Sequence, residues 1–298
     1  MITVIGSINL DLIANVGRLP KPGETVPGST FRTAPGGKGA NQALAAARAG
    51  VETRMIGAVG RDAFANDALA LLKEAGVDTS HLRESAAATG TALILVDSEG
   101  ENMIAVIPGA NGSVLPADVA RRPIEPGLVL LQHEIPLETV AEALDAARAQ
   151  GVVSILNTAP FRIEAAALLQ KADYVVANET EFDLYAKTLR LAGETRTQQM
   201  QEFAKSTGRT VIVTLGGEGV IAATPRETIE VEAMKIEPVD TVGAGDTFCG
   251  YLGAALHQKH SLADALRRAA VAGSLACLKS GAQPSIPLAA DVEAALAA

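Results

Sequence analysis

The sequence predicts an α/β fold in which a mostly parallel central sheet carries helices on both faces and a small β-sheet lid is added. Three observations lead there. From residue 127 onward, short unbroken apolar strands alternate with amphipathic helical stretches, the pattern of strands buried on both faces. Two β-type insertions, at about 12–35 and 89–107, interrupt that rhythm in the first third of the chain. Glycine-rich loops at 36–41 and 243–245 follow strand-like stretches and open into helices.

In chain order, an apolar strand over 2–8 is followed by Asn9 and Asp11, which at period two point to one face. β-type pieces at 12–16 and 25–33 end in Gly36-Gly37-Lys38-Gly39-Ala40-Asn41, and an Ala-rich helix then runs to Arg48 and stops at Gly50. A strand at 53–59 and a helix at 64–74, closed by Gly76, come next. β-like runs at 89–96 and 102–107 flank Asp97-Ser98-Glu99-Gly100 and predict a hairpin. The regular part follows: strand 128–131, helix 137–150, strand 152–156, helix 163–170, strand 174–177, helical segments to about 207, strand 210–215, a β-type stretch at 220–234, and helices over 245–258, 262–279 and 288–296. With no internal repeat and no linker-like tract, residues 1–298 read as one α/β domain whose lid comes from the two insertions.

Composition narrows the function classes. No apolar run approaches the ~18–20 residues that span a bilayer, and the start has neither a basic region nor a cleavage-like site, so a cytoplasmic protein is expected. The two cysteines, Cys249 and Cys277, form no metal or redox motif. A formal net charge of −9 speaks against nucleic acid and anionic membrane as partners and for small molecules or a second copy of the chain.

The stretch Asp240-Thr241-Val242-Gly243-Ala244-Gly245-Asp246-Thr247-Phe248 carries the strongest chemical signal. Its small residues precede an apolar helical pattern (Phe248, Tyr251, Leu252, Ala255, Leu256), so unpaired N–H groups at a helix start form an anion site. By spacing alone, Asp246 is more readily an N-cap; the alternative is a general base beside that anion hole. No Walker A motif and no GxGxxG follows the first strand, which leaves a P-loop kinase and a simple dinucleotide enzyme poorly supported. By itself, the turn around Lys38 reads as a strand-to-helix connection with a solvated lysine.

Taken together and in order, Ser7-Ile8-Asn9-Leu10-Asp11, Gly36-Gly37-Lys38-Gly39-Ala40-Asn41-Gln42-Ala43, Asn178-Glu179-Thr180-Glu181 and the Asp240–Phe248 stretch resemble the successive signatures of the ribokinase family, within the PfkB group of carbohydrate kinases. The resemblance extends to Gly281-Ala282-Gln283-Pro284-Ser285 and so covers essentially the whole chain. It implies a ribokinase-like fold and a set of residue roles. Asn9, Asp11, Gly37, Lys38, Gly39, Ala40, Asn41, Glu134 and Asp246 would bind the sugar, where paired carboxylate and amide groups suit vicinal hydroxyls. Asn178 and Glu181 would hold Mg²⁺ and nucleotide phosphates through water, although the pair also reads as a helix capping box. Thr214, Leu215, Gly216, Gly217, Glu218, Gly219 and Gly245 would receive ATP, with a plain β-turn as the rival for 214–219. Asp246 becomes the base, with Gly243, Ala244 and Gly245 completing the anion hole. Asp240 and Ser285, with backbone oxygens of Val242, Ala276, Lys279 and Gly281, match a monovalent-cation (K⁺) site, against which stands simple loop hydrogen bonding. His133, in Gln132-His133-Glu134, departs from the pattern and reads as a packed or solvent-facing side chain, and Cys249 as a buried apolar thiol.

The expected activity is ATP-dependent phosphorylation of the 5-hydroxyl of D-ribose. The alternatives are the same chemistry on deoxyribose, a nucleoside or a keto sugar, and a non-catalytic sugar-binding regulator on the same fold. Within the lid, Ala92, Ile94 and Val96 alternate with Leu93 and Leu95, so both faces are apolar and a homodimer through the lid is expected.

Overall fold

A computed structural model describes residues 1–120, 124 and 126–297. The chain begins with β1 (Ile2–Ile5) in the large sheet and at once crosses to the lid strands β2 (Asn9–Val16) and β3 (Gly28–Gly36). It returns through α1 (Lys38–Arg48), β4 (Thr53–Gly60), α2 (Ala63–Glu74) and β5 (Leu82–Ser85), then completes the lid with β6 (Gly90–Val96) and β7 (Asn102–Ile107). A 3₁₀ turn at Gly109–Ser113 and α3 (Pro116–Ala120) lead to β8 (Leu128–Leu131), α4 (Leu137–Ala149) and β9 (Val153–Asn157). A 3₁₀ helix (Ile163–Lys171), β10 (Tyr174–Asn178), α5 (Glu179–Leu189), α6 (Arg196–Thr207) and β11 (Thr210–Thr214) follow. The antiparallel strands β12 (Val220–Ala223) and β13 (Thr228–Val231) precede α7 (Ala244–His257), α8 (Leu262–Ala276), α9 (Ala282–Ser285) and α10 (Ala289–Ala297).

Among the described residues, the strands form a nine-stranded sheet in the order β13-β12-β11-β10-β9-β8-β1-β4-β5 and a four-stranded lid in the order β3-β2-β6-β7. Within the large sheet the run β11-β10-β9-β8-β1-β4-β5 pairs in parallel throughout. Alternation within β8 explains why its sequence is apolar throughout. Leu128 and Leu130 join one core layer, with Leu44, Leu252 and Leu266, while Val129 and Leu131 join the other, with Val140, Leu144 and Phe182. Each layer is a row of helices laid on one face of the sheet, and the loops at the carboxyl ends of the strands are left to build a site. No helix among the described residues is long and apolar enough to cross a membrane.

The structure departs from the expected elements in a few places. The run over 2–8 is not one strand: β1 ends at Ile5, and Asn9 and Asp11 already lie on the first lid strand, so the lid begins before residue 12. β5 was not expected, because Leu82-Arg83-Glu84-Ser85 is a short polar strand at the sheet edge, where no burial pattern marks it. The helix expected at 163–170 is a 3₁₀ helix. The hairpin at 97–100 is present, with Asp97 N–H donating to the Glu101 carbonyl at 3.0 Å.

Candidate active site

The floor of the site is the start of α7. Gly243 precedes it with φ of 80° and no side-chain cap, and a Cβ there would stand 2.9 Å from Ala282, so both conformation and space demand glycine. Among the described residues, the N–H groups of Gly245 and Asp246 meet no backbone acceptor. A Cβ on Gly245 would meet nothing, which leaves open space in front of these donors. Asp246 is buried at the third helical position and does not cap the helix. Its Oδ2 accepts from Asn41 Nδ2 at 2.9 Å and its Oδ1 from Gln42 Nε2 at 3.0 Å. The capping role that spacing alone favours therefore does not describe this side chain. What brings α1 so close is Gly250, where a Cβ would collide with Ala45 Cβ and lie 2.7 Å from the Gln42 carbonyl.

On one side of the floor opens a cleft of about 790 Å³ lined by Asn9, Lys38, Glu134, Pro136 and the lid residues Ile104 and Val106. Asn9 is held from below: its Oδ1 accepts from Asn111 Nδ2 at 2.7 Å, while Asn111 Oδ1 accepts from the Ile8 N–H at 2.8 Å. Asp11 shares a lid face with Ala92 and, one strand further, Val106. Burial, with Glu134 nearby, raises the Asp11 carboxyl from 3.8 to about 6. Glu134 Oε2 accepts from Ser7 Oγ at 2.5 Å and from the Lys38 N–H at 3.0 Å, which joins three segments at the mouth of α1. Gly37 has φ of 87°, and a Cβ on it would stand 2.8 Å from the Asn9 nitrogen, so this turn needs glycine. Gly39 and Ala40 do not line the cleft; they dock α1 on the 6–7 turn through Gly39 N–H to Ser7 Oγ (3.3 Å) and Ala40 N–H to the Ser7 carbonyl (2.9 Å).

Of the two readings the sequence left for His133, packed or solvent-facing, the side chain is packed. Its Nδ1 lies 3.0 Å from the Thr158 carbonyl, and burial pushes its pKa down to about 4. Cys249 is fully buried and its thiol is driven well up by burial, so it is no nucleophile at neutral pH.

A middle cleft of about 220 Å³ is lined by Lys38, Asn157, Asn178, Glu181, Gly243 and Asp246. Lys38 borders this cleft and the first. Burial works against the Lys38 ammonium, but Asp246, Glu134 and Glu181 outweigh it and its pKa is raised. A third cleft, about 410 Å³ and largely apolar, is lined by Thr214, Gly216, Gly217, Gly219, Gly245, Phe248 and Gly273, and shares Thr214, Thr241 and Gly245 with the middle one. Leu215 instead packs on the core, and Glu218 is exposed. The three clefts thus adjoin as one trough, the first meeting the middle one at Lys38 and the middle and third lying over the start of α7.

Asn178 and Glu181 do form a capping box: Asn178 Oδ1 accepts from the Glu181 N–H at 2.8 Å, and Glu181 Oε2 accepts from the Asn178 N–H at 3.2 Å and from Thr158 Oγ1 at 3.0 Å. Both line the middle cleft, and among the described residues Glu181 Oε1 is assigned no partner, so one carboxylate oxygen remains for a water-borne Mg²⁺. Asp240 Oδ1 accepts from the Val242 N–H at 3.0 Å and Oδ2 from the Gly281 N–H at 2.8 Å. The Asp240 N–H in turn reaches the Cys277 carbonyl at 3.2 Å, so the 240–243 and 277–281 loops are drawn together beside the anion hole. Ser285 Oγ donates to the Ala282 carbonyl at 2.9 Å, and Lys279 N–H approaches the Ala276 carbonyl at 3.5 Å. Loop hydrogen bonding is present at this place, and the remaining carboxylate lone pairs and carbonyls suit a weakly hydrated cation.

A model of the pfkB family carbohydrate kinases matches residues 1–289. The chain is 39% identical to a ribokinase from Lactococcus lactis over 99% of its length and 96% of that protein's. Its structure superposes on that of a Thermotoga maritima ribokinase with a TM-score of 0.93 at 32% identity, covering 100% of this chain and 99% of the other. An Arabidopsis thaliana ribokinase complexed with ribose and ATP superposes with a TM-score of 0.85 at 33% identity, covering 99% and 98%.

The chain belongs to the pfkB family of carbohydrate kinases.

As a pfkB-family kinase it uses ATP to phosphorylate a sugar, and the site has three parts suited to that: a cleft under the lid that carries Asn9, Lys38 and Glu134 among apolar neighbours, an anion-binding floor and an apolar slot. Residue patterns do not single out four buried amides: Gln42, Gln132 and Asn157 at the floor, and Asn111 beneath Asn9. The available signal was a polar side chain inside an apolar stretch, Gln42 in the Ala-rich α1 and Gln132 directly after β8.

Proposed function

We propose that the protein phosphorylates the 5-hydroxyl of D-ribose with ATP, with Asp246 as the general base. The observation that carries this reading is the pairing of a buried carboxylate, bonded only to side-chain amides, with unpartnered N–H groups at the same helix start. The sugar would lie under the lid, bound by Asn9, Asp11, Lys38 and Glu134 and placed with its terminal hydroxyl at Asp246. Asp246 takes the hydroxyl proton while the free N–H groups of Gly245 and Asp246 face the charge on the transferring phosphoryl group. Lys38, bordering both clefts, balances negative charge where the two substrates meet.

Asn178 and Glu181 are assigned to Mg²⁺, which when bound neutralises phosphate charge, and Asp240 with the 277–285 loop to K⁺. ATP would place its base in the apolar slot beside Gly216, Gly217 and Gly273. The whole chain acts as one kinase domain in the cytoplasm. The lid also makes a homodimer: Met103 pairs with Leu95, and Phe31 with Ala14 beside it, so Phe31, Leu93, Leu95 and Met103 share the outer face. Phe31 is 68% exposed there, Met103 50% and Leu93 48%, a cost that a second lid would remove.

The volume of the sugar cleft, larger than a pentose fills, favours as the second reading a bulkier substrate such as a nucleoside or keto sugar. A coupled ADP-release assay across ribose, deoxyribose, keto sugars and nucleosides separates the two. Ribose is expected to give the highest kcat/KM, and a nucleoside ahead of ribose would replace the first reading by the second.

A further inference from the structure

Behind Asp246 lies a chain of buried amides, two of which, Gln42 and Gln132, are set back from the clefts. Gln42 and Gln132 are both 0% exposed. Gln132 Nε2 donates to Gln42 Oε1 at 2.6 Å, and Gln42 Nε2 donates to Asp246 Oδ1 at 3.0 Å. Asn157 Oδ1 lies 3.4 Å from the same Gln42 nitrogen and holds its own amide by donating from Nδ2 to the Val176 carbonyl at 3.2 Å. Neither Gln42 nor Gln132 lines the three clefts.

The direction of each bond follows from chemistry. An ionised carboxylate only accepts, so Gln42 must turn its NH₂ toward Asp246 and its carbonyl away. That carbonyl would be an unsatisfied buried acceptor but for the Gln132 NH₂. The carboxylate thus sets which end of Gln42 faces it, and Gln132 satisfies the end turned away. Space for it is provided by glycine: a Cβ on Gly6 would collide with Gln132 Oε1. We propose that the Gln132–Gln42 pair is a positioning relay, which locks the rotation of the Asp246 carboxylate and leaves its free lone pairs facing the sugar hydroxyl.

The relay separates two functions that one carboxylate could blur. Asn41 Nδ2 holds Oδ2 and Gln42 Nε2 holds Oδ1, both from buried side chains of α1. With both oxygens anchored, the carboxylate plane is set before the sugar arrives, which is where a proton-transfer step gains from preorganisation.

This proposal rests on the reading of Asp246 as general base, and the test separates the two. Steady-state kinetics would be compared for Gln42→Met, Gln132→Met, the double variant and Asp246→Asn. Methionine keeps the length of the side chain and removes the donor. Gln42→Met is expected to lower kcat by about 10- to 100-fold, the rate equivalent of one hydrogen bond to a charged group. KM for sugar and ATP should stay within about twofold, the mark of a loss confined to the chemical step. Gln132→Met should lower kcat less, and the double variant should match Gln42→Met, because Gln132 acts only through Gln42. Gln42→Glu, with the same shape but no amide donor, should lose kcat at least as strongly. Parental kcat in Gln42→Met or Gln42→Glu, a rise in KM at unchanged kcat, or losses that multiply in the double variant would each overturn the relay. An Asp246→Asn enzyme that turns over normally would instead remove the base on which it rests.

Discussion

The floor of the trough and the lid above it are built in opposite ways. At the floor, Asp246, Asn41, Gln42, Gln132 and Asn157 come from four separate places in the chain and are all buried, each placed by packing on every side. The outer lid strand β7 is exposed at all of its residues, and apolar side chains stand on both lid faces. The difference teaches that chemistry and enclosure draw on separate reserves of stability. Groups that must hold a geometry are fixed by the core, while groups that must open and close depend on what later covers them.

The largest effect should come from breaking the floor at its centre. Asp246→Asn keeps the shape and both amide neighbours, so fold and ATP binding should survive while turnover falls by at least ~10²–10⁴-fold. Most of kcat retained in that variant would return Asp246 to a structural role. Gly250→Val attacks the same floor through packing. Its side chain would force α7 off α1, and overpacking of this kind costs about 1–3 kcal/mol, which thermal unfolding would register together with a fall in kcat. An unchanged melting temperature would show that the helices have room that the structure does not give them.

The lid should respond differently, in assembly and affinity more than in kcat. Light scattering is expected to give a mass near twice 30.6 kDa, and Leu93→Glu with Leu95→Glu should lower the mass and weaken sugar binding together. A fully active monomeric parent would leave the apolar outer face needing another explanation.

Asp11 joins the two regions and gives a smaller, pH-dependent effect. Its carboxyl titrates at about 6 in the free protein, above the ordinary 3.8. If sugar hydroxyls donate to the ionised form, affinity should fall by about tenfold per pH unit below that value and level off above it. The stability of the free protein should run the other way. A carboxyl whose folded pKa is raised binds its proton more tightly when folded, so its contribution declines as pH rises from 3.8 through about 6. Asp11→Asn should flatten both profiles, and a parental profile without that inflection would remove Asp11 from the sugar. Smallest of all is the cation effect at Asp240 and Ser285: activity should rise with K⁺ and much less with Na⁺ or Li⁺, and equal rates in all three would dismiss the site.

What the sequence made legible follows the same division. β8 and β10 could be read as strands because burial on both faces leaves an unbroken apolar run. Asn9, Lys38 and Asp246 stood out because glycine turns and periodicity place polar groups where ligands approach. The crossing from β1 to β2 within Gly6-Ser7-Ile8 could not be read, since a run of apolar residues is silent about which sheet it joins. Gln42 and Gln132 were hidden for another reason: Gln42 meets Asp246 across 204 positions and Gln132 meets Gln42 across 90, and only packing makes them neighbours.

Transfer from ATP to the terminal hydroxyl of a sugar held under the lid is the central step, and one measurement addresses it. ADP release would be followed with ribose, with 5-deoxyribose and with sugar omitted. Ribose should drive ADP release, whereas 5-deoxyribose, lacking the accepting hydroxyl, should bind and inhibit without turnover, and the sugar-free rate should be near zero. ADP released as fast with 5-deoxyribose as with ribose, or with no sugar at all, would contradict it.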